Sequence, residues 1–331
     1  MATTNSKDFL LKKSIRMILV HISVLLILVV LLTLQVNTEV ERKYLDVLHA
    51  EFSKFDLNVE AQADILYSLR SFFIINQEVN KEEWDFFLNS HNVSHRYPKV
   101  GDLSYIEFIK DSEITDRSIY KALSSYNDHY IAKYSTLGED FIGTDVGSQQ
   151  ERYITIKRAI EQNQIIITGP VSSFLDGSEK LILYLPIFKN DFIDNGEINY
   201  RNDNIKGVIA LSMHMDDFMS EIFDDYLLNN FQINVKNRAT GEEIYTNNVD
   251  HSYALRPLTQ KVTVKVGGNF WEINVTINYF FFVDASTKVV FVVIIFGGLL
   301  MNLSIYSMLR KFRSMLLVCM ENVKANPLSS K

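Results

Sequence analysis

Two runs of apolar residues bracket the chain. Residues 17–36 read MILVHISVLLILVVLLTLQV, broken only by His21, Ser23, Thr33 and Gln35, and residues 289–309 read VVFVVIIFGGLLMNLSIYSML without a charge. The hydrocarbon core of a bilayer takes about 20 helical residues to cross, and a helix satisfies its own backbone in lipid. Each run therefore predicts a transmembrane helix. The first is longer than the apolar part of a secretory signal and no small-x-small site follows it, so it predicts an uncleaved anchor.

From residue 37 the pattern narrows to a stripe. Val40, Tyr44, Leu48, Phe52, Phe55, Val59, Ala63, Leu66, Leu69 and Phe73 recur at spacings of three and four, which predicts a long helix over 37–75 with one apolar face. Two readings fit that face: a helix packed along its own domain, and a stalk that pairs with a second copy.

Asn80 with Glu83 three residues on reads as a capping box. Trp84, Phe87 and Leu88 give the helix that follows a buried face, and Tyr97-Pro98 ends it. Alternation over 103–109 predicts a strand. Residues 149–163 predict a second helix with Ile154, Ile156 and Ala159 turned inward. Strands are predicted at 165–168, 180–188 and 207–212, with a loop at 189–206 and a helix starting near Asp216. Ala239-Thr240-Gly241 and Gly267-Gly268-Asn269 each sit between strand-like runs and predict hairpins.

The expected fold class is α+β. A long N-terminal stalk helix carries two antiparallel sheets, one distal and one proximal to the membrane, flanked by two transmembrane helices. The divisions are a tail 1–16, a span 17–36, the stalk 37–75, a distal subdomain 76–220, a proximal subdomain 221–286, a span 289–309 and a tail 310–331.

Charge sets the orientation. Lys7, Lys12, Lys13 and Arg16 precede the first span, and Arg310, Lys311 and Arg313 follow the second. Basic residues stay in the cytoplasm, so both termini are expected there, in a plasma (inner) membrane, with 37–286 outside. The chain carries −7 overall and its two basic ends hold +7 between them, leaving −14 for the rest. An exterior that acidic argues against nucleic acid and against adhesion to anionic lipid. The single cysteine, Cys319, falls on the cytoplasmic side, so the exterior part is expected to have no disulfide.

No GxSxG, HExxH, P-loop or GxGxxG pattern occurs, and no enzymatic activity is expected. His91 and His95 have the i, i+4 spacing of a metal pair but no third ligand nearby, and read as a solvated helix face. His214-Met215-Asp216-Asp217 reads as a strand end running into a helix whose first turn favours acids. No metal or cofactor is therefore expected. Asn302, Ser304 and Ser307 place hydrogen-bonding groups in the second span.

In order along the chain, several short pieces resemble the CHASE domain, the extracellular sensor module of cytokinin-receptor kinases and of many bacterial histidine kinases and diguanylate cyclases. Val79-Asn80-Lys81-Glu82-Glu83-Trp84 is similar to the family's entry helix. Arg96-Tyr97-Pro98 and Leu103-Ser104-Tyr105-Ile106 are similar to its "YP…L" turn and strand. Residues 130–134 and then 141–148, containing Gly143-Thr144-Asp145, resemble the strand and the "G-x-D" element. Arg158-Ala159, Ile167-Thr168-Gly169-Pro170, residues 181–188, Gly207-Val208-Ile209 and Asp216 complete the series.

The resemblance implies two PAS-like sheets on the stalk helix, a small-molecule ligand, a homodimer and a cytoplasmic kinase or cyclase as output. In plant members the aspartate of the "G-x-D" element hydrogen-bonds the ligand. Asp145 matches it, with Ile167, Thr168 and Tyr184 as further ligand-binding positions. Tyr184 replaces a smaller residue, so the resemblance does not carry over the plant ligand. Read from its neighbours alone, Asp145 is equally a turn residue between Gly143 and Gly147.

Residues 310–331 hold the start of a helix (Leu309, Phe312, Leu316, Leu317, Met320) that Pro327 would end, and no kinase or cyclase pattern. A severed receptor, or a subunit acting through a separate partner, is expected. The alternative is a structural two-span protein such as a polysaccharide chain-length regulator. Those proteins usually carry a Pro-rich segment around the second span, and none occurs here.

Overall fold

The computed structural model describes residues 2–76, 78–93, 101–189, 194, 196–247, 249 and 257–325. The chain divides into two compact units, residues 48–278 and residues 1–47 with 279–331. Tyr97-Pro98, His95 and Pro327 lie outside the described residues.

Helix α1 runs unbroken over Ala2–Ile75, and α7 over Ala285–Ala325. The stretches Leu19–Ser53 and Ala285–Phe312 are long and apolar enough to cross a membrane. Their side chains point outward, as with Leu26 and Leu300, 63% and 66% exposed. Within the unit of the two chain ends, a Cβ on Gly298 would lie 2.6 Å from Leu25 Cδ1, so the helices touch closely there. Lys43 meets Asp284 at 3.0 Å, and Tyr44 packs edge-on to Phe282.

In the unit 48–278 the described strands form two sheets, and each pairing between named strands is antiparallel. The first sheet contains β1 (Asp102–Lys110), β2 (Asp128–Ser135), β3 (Ile166–Ile167), β4 (Val171–Ser172), β5 (Glu179–Phe188) and β6 (Ile205–His214). Its order is β2-β1-β6-β5-β3, with β4 also on β5. The second sheet, in the order β8-β7-β10-β9, contains β7 (Gln232–Asn237), β8 (Glu243–Thr246), β9 (Pro257–Val266) and β10 (Asn269–Asn278). Two glycines at positive φ, Gly267 and Gly268, close the β9–β10 hairpin, as the two-residue turn requires.

Both faces of the first sheet are covered. Tyr105, Ile209 and Leu185 are direct cross-strand partners and share one face. The last turns of α1 pack there, with Phe73 and Tyr105 rings 4.3 Å apart. Leu66, Leu69 and Phe73, from the predicted stripe, are at most 1% exposed. Helix α2 (Lys81–Ser90) adds Trp84, stacked on Tyr134, and its capping box between Asn80 and Glu83 forms as predicted.

The opposite face meets α3 (Gln150–Gln162) through Ile156, Ala159 and Ile160. Ile154 departs from expectation, being 45% exposed. At 100° per residue it lies 200° from Ile156, so one helix cannot turn both inward. The predicted loop 189–206 also differs, because α4 (Ile198–Asn204) occupies its end and feeds directly into β6. Helices α5 (Met215–Ile222) and α6 (Asp225–Asn230) then lead to the second sheet.

Candidate ligand-binding site

The face of the first sheet toward α3 holds a small cavity. Ser104, Ala210 and Tyr184 are partners across β1, β6 and β5, and their side chains form its floor. Arg152 comes from the first turn of α3. Phe141, Val146 and Phe174 come from the flanking loops, with the Phe141 and Phe174 ring centroids 6.4 Å apart. The free space is about 20 Å³, room for a water or two and far below the several hundred Å³ of an occupied ligand site. Phe141 and Phe174 occupy the space above the sheet.

Its chemistry is cationic. Arg152 is 4% exposed. Its Nε–H donates to Gln149 Oε1 (2.6 Å) and its Nη2–H to the Ser172 carbonyl (2.9 Å), while Phe174 lies 4.7 Å from the guanidinium carbon. Lys180, 5% exposed, is paired with Asp102 at 3.2 Å. The Tyr184 hydroxyl is fully enclosed and makes no hydrogen bond. Burial raises its pKa above the ordinary phenol value, and the Arg152 charge opposes that shift in part.

Of the four positions implied by the resemblance, only Tyr184 lines this cavity. Asp145 is fully buried beside it, at the start of the short 3-10 turn Val146–Ser148, with both carboxylate oxygens engaged. Oδ1 accepts from the backbone N–H of Tyr130 and Gly147, and Oδ2 accepts from Ser124 N–H and His129 Nδ1–H (2.8 Å). His129 Nε2 faces Asp111 at 3.0 Å, so the ring lies between the two carboxylates. The His129 contact, with Arg117 beside it, holds the Asp111 carboxyl below its ordinary pKa.

Thr168 lies in the sheet core, where its Oγ1 accepts from Ile182 N–H. Ile167 joins the two sheets. Its N–H donates to the Gly267 carbonyl and its own carbonyl accepts from Asn269 Nδ2, while Arg158 of α3 donates to Asn269 Oδ1. A Cβ on Gly267 would lie 2.8 Å from the Ile167 Cβ, so this docking needs glycine.

Sequence reasoning passed over Arg152, Phe174 and Lys180. For Arg152 a signal was present. Residues 152, 155, 156, 159 and 160 are the buried stripe of α3, and an arginine heads it. The histidines singled out earlier sit at element ends. His91 stacks on Phe87, and His214 ends β6 ahead of Asp216 and Asp217 in the first turn of α5. Among the described residues no group of three or more His, Cys, Asp or Glu converges as a metal site would.

A long helix on one face of an antiparallel sheet, with a shorter helix and a small cavity on the other, defines an α+β fold. The family model of the CHASE domain matches residues 77–246, just over half of the chain. The chain belongs to the CHASE domain family, and the match reaches past the first sheet into the second.

Among solved structures, the ligand-binding domain of the Pseudomonas aeruginosa amino acid chemoreceptor PctC, in complex with GABA, is 14% identical. It covers 72% of this chain and 100% of its own, at a TM-score of 0.45. The periplasmic sensory domain of the Campylobacter jejuni chemoreceptor Tlp1 is 14% identical over 73% of this chain and 94% of its own, at 0.40. The Pseudomonas fluorescens chemoreceptor CtaA domain with L-leucine is 9% identical over 71% and 94%, at 0.44. No curated protein matches the sequence significantly.

Proposed function

We propose that the protein is a membrane-anchored, non-enzymatic sensor. Its first sheet binds a small molecule on the α3 face, and α1 and α7 carry the resulting change across the membrane to a separate cytoplasmic kinase or cyclase. The observation that carries this reading is the closed cavity over Tyr184, inside the segment matched by the CHASE family. Helix α1 runs without a break from an apolar stretch to the back of the sheet that holds the cavity. The hairpin docked on Ile167 belongs to the sheet whose last strand leads, through Tyr279–Phe281, to α7. Ligand binding acts by favouring one of two arrangements of these helices, and only a difference in affinity for the two transmits a signal.

Both termini are assigned to the cytoplasm by the basic residues beside the two apolar stretches. A homodimer is part of this reading, on the strength of membership in the CHASE family alone.

Two measurements test the reading. In intact cells carrying Cys319→Ser with Thr240→Cys, a membrane-impermeant maleimide is expected to label the new thiol from outside; protection until lysis contradicts the orientation. A small-molecule screen by thermal shift on the full chain is expected to give hits lost on narrowing the cavity with Ala210→Leu. Hits indifferent to that change place the site elsewhere.

A further inference from the structure

We infer that the cavity takes a small organic anion, whose carboxylate sits against Arg152 and the Tyr184 hydroxyl and whose remainder is apolar and carries no ammonium group. This rests on reading the cavity as the sensor's ligand site.

Arg152 is a buried cation without an anion. Its partners are an amide oxygen, a backbone carbonyl and an aromatic face, and no carboxylate among the described residues pairs with it. The other buried cation at the same cavity, Lys180, has Asp102. A guanidinium taken out of water is costly unless an anion compensates it, and its fork of N–H donors fits a carboxylate in two places at once. Gln149 and Ser172 leave part of that fork free for a second acceptor.

Tyr184 supplies the independent observation. Its hydroxyl is fully enclosed, lines the same cavity and makes no well-formed hydrogen bond, although the Arg152 guanidinium lies close enough to act on it. Buried polar groups are almost always hydrogen-bonded, and a phenol beside a guanidinium is placed to donate to an oxygen that the cation also holds. Two converging donors on one wall specify an acceptor with negative charge.

The rest of the lining selects the tail. Ile106, Ile182, Phe141 and Phe174 offer apolar surface, and among the described residues no acidic side chain lines the cavity. An α-ammonium group would enter without a counter-ion. Carboxylic acids and 2-oxo acids with apolar tails therefore fit better than the zwitterionic amino acids of the same skeleton. Entry requires Phe174 to leave the face of Arg152, since the closed space is about 20 Å³.

The test uses the full chain in lipid nanodiscs, with calorimetric titration and thermal melting. The probes are phenylacetate, 3-methylbutanoate and 4-methyl-2-oxopentanoate, each with its amide, plus phenylalanine and leucine. A second panel holds neutral nucleobases and sugars. At least one carboxylate is expected to bind, about 100-fold more tightly than its amide, as expected when a buried charge loses its only counter-ion. Arg152→Met should abolish that binding while melting no lower than wild type without ligand, because an apolar side chain removes an uncompensated charge. Tyr184→Phe, which changes one atom, should weaken binding about 10-fold and guards against a failure of the arginine variant to fold.

An amide that binds as well as its acid, unchanged binding in either variant, or preference for leucine over its 2-oxo acid overturns the inference. Binding of a neutral compound, lost in Tyr184→Trp while no anion binds, overturns it and leaves the sensor reading standing. Silence of the wild type toward both panels overturns both.

Discussion

One strand faces two ways, and its two faces differ in kind. Toward α1, β5 sends Leu181, Leu183, Leu185 and Ile187, each at most 1% exposed. Toward α3 it sends Lys180, Ile182 and Tyr184 to a cavity. Side chains alternate along a strand, so ten residues serve both purposes without interference. The α1 face is close-packed apolar core whose burial stabilises the fold, with Trp84 Nε1 as its one enclosed polar atom without a hydrogen bond among the described residues. The α3 face holds a buried lone cation, an unpartnered hydroxyl and a void, each of which costs stability.

The largest expected effect tests that contrast with one aromatic from each face. Phe73→Ala removes a fully buried ring packed against Tyr105 and should cost about 3–5 kcal/mol, a fall in melting temperature on the order of 10 °C. Phe174→Ala opens the cavity and frees Arg152, and should cost no more than about 1.5 kcal/mol. Thermal melts of the two variants decide the matter, and equal losses would remove the distinction between the faces.

Asp145 comes next. Its carboxylate gathers three backbone N–H groups and His129. Asp145→Asn replaces one acceptor oxygen with a donor that confronts donors, and should cost about 3 kcal/mol. The residue acts here as the hub that shapes the loop beside the cavity. A variant that melts like wild type yet loses ligand binding would instead make Asp145 a ligand contact.

Much of the fold was legible because it is local. The capping box at Asn80 and Glu83, the stripe through Leu66, Leu69 and Phe73, and the Gly267-Gly268 turn are all written in neighbouring residues. Ile154 was misjudged because apolarity was weighed without the helical angle. The site was less legible. Tyr184 was reached through family resemblance, and Arg152 could have been reached from its place at the head of a buried stripe. What spacing could not reveal is that no acid from elsewhere comes to meet it. Nor could it reveal that Asp145 is already spent on His129, 16 residues away.

A smaller effect concerns the edge where the two faces are tied together. Arg70 of α1 donates to Asn163 Oδ1, Asn163 Nδ2–H donates to Asp194, and Arg201 pairs with Asp194 at 2.8 Å. Arg201, with the Gly196 N–H, holds the Asp194 carboxyl at a pKa of about 2 against an ordinary 3.8. A folded-state value below the unfolded one favours the fold while the group is ionised. The contribution is therefore complete above about pH 4 and disappears as pH falls toward 2. Asp194→Asn should flatten the acid limb of the melting profile by at most about 1 kcal/mol, since the pair is partly solvated. An unchanged acid limb would mean that the clasp does not join the faces in solution.

The smallest shift is expected from Tyr184→Phe. Its neighbour on the opposite face, Leu183, packs in the α1 core, and Leu183→Ala should cost about 2–5 kcal/mol. Removing the Tyr184 hydroxyl breaks no hydrogen bond within the chain. It relieves a buried polar atom of its desolvation penalty, so unliganded stability should lie between no change and a gain of about 1 kcal/mol. The same substitution should weaken carboxylate binding. A single oxygen that costs the empty protein stability and gives the bound one affinity is what separates a site from a core. A clear loss of unliganded stability in Tyr184→Phe would show that the hydroxyl is already engaged, most directly with Arg152, and would return this face to ordinary core.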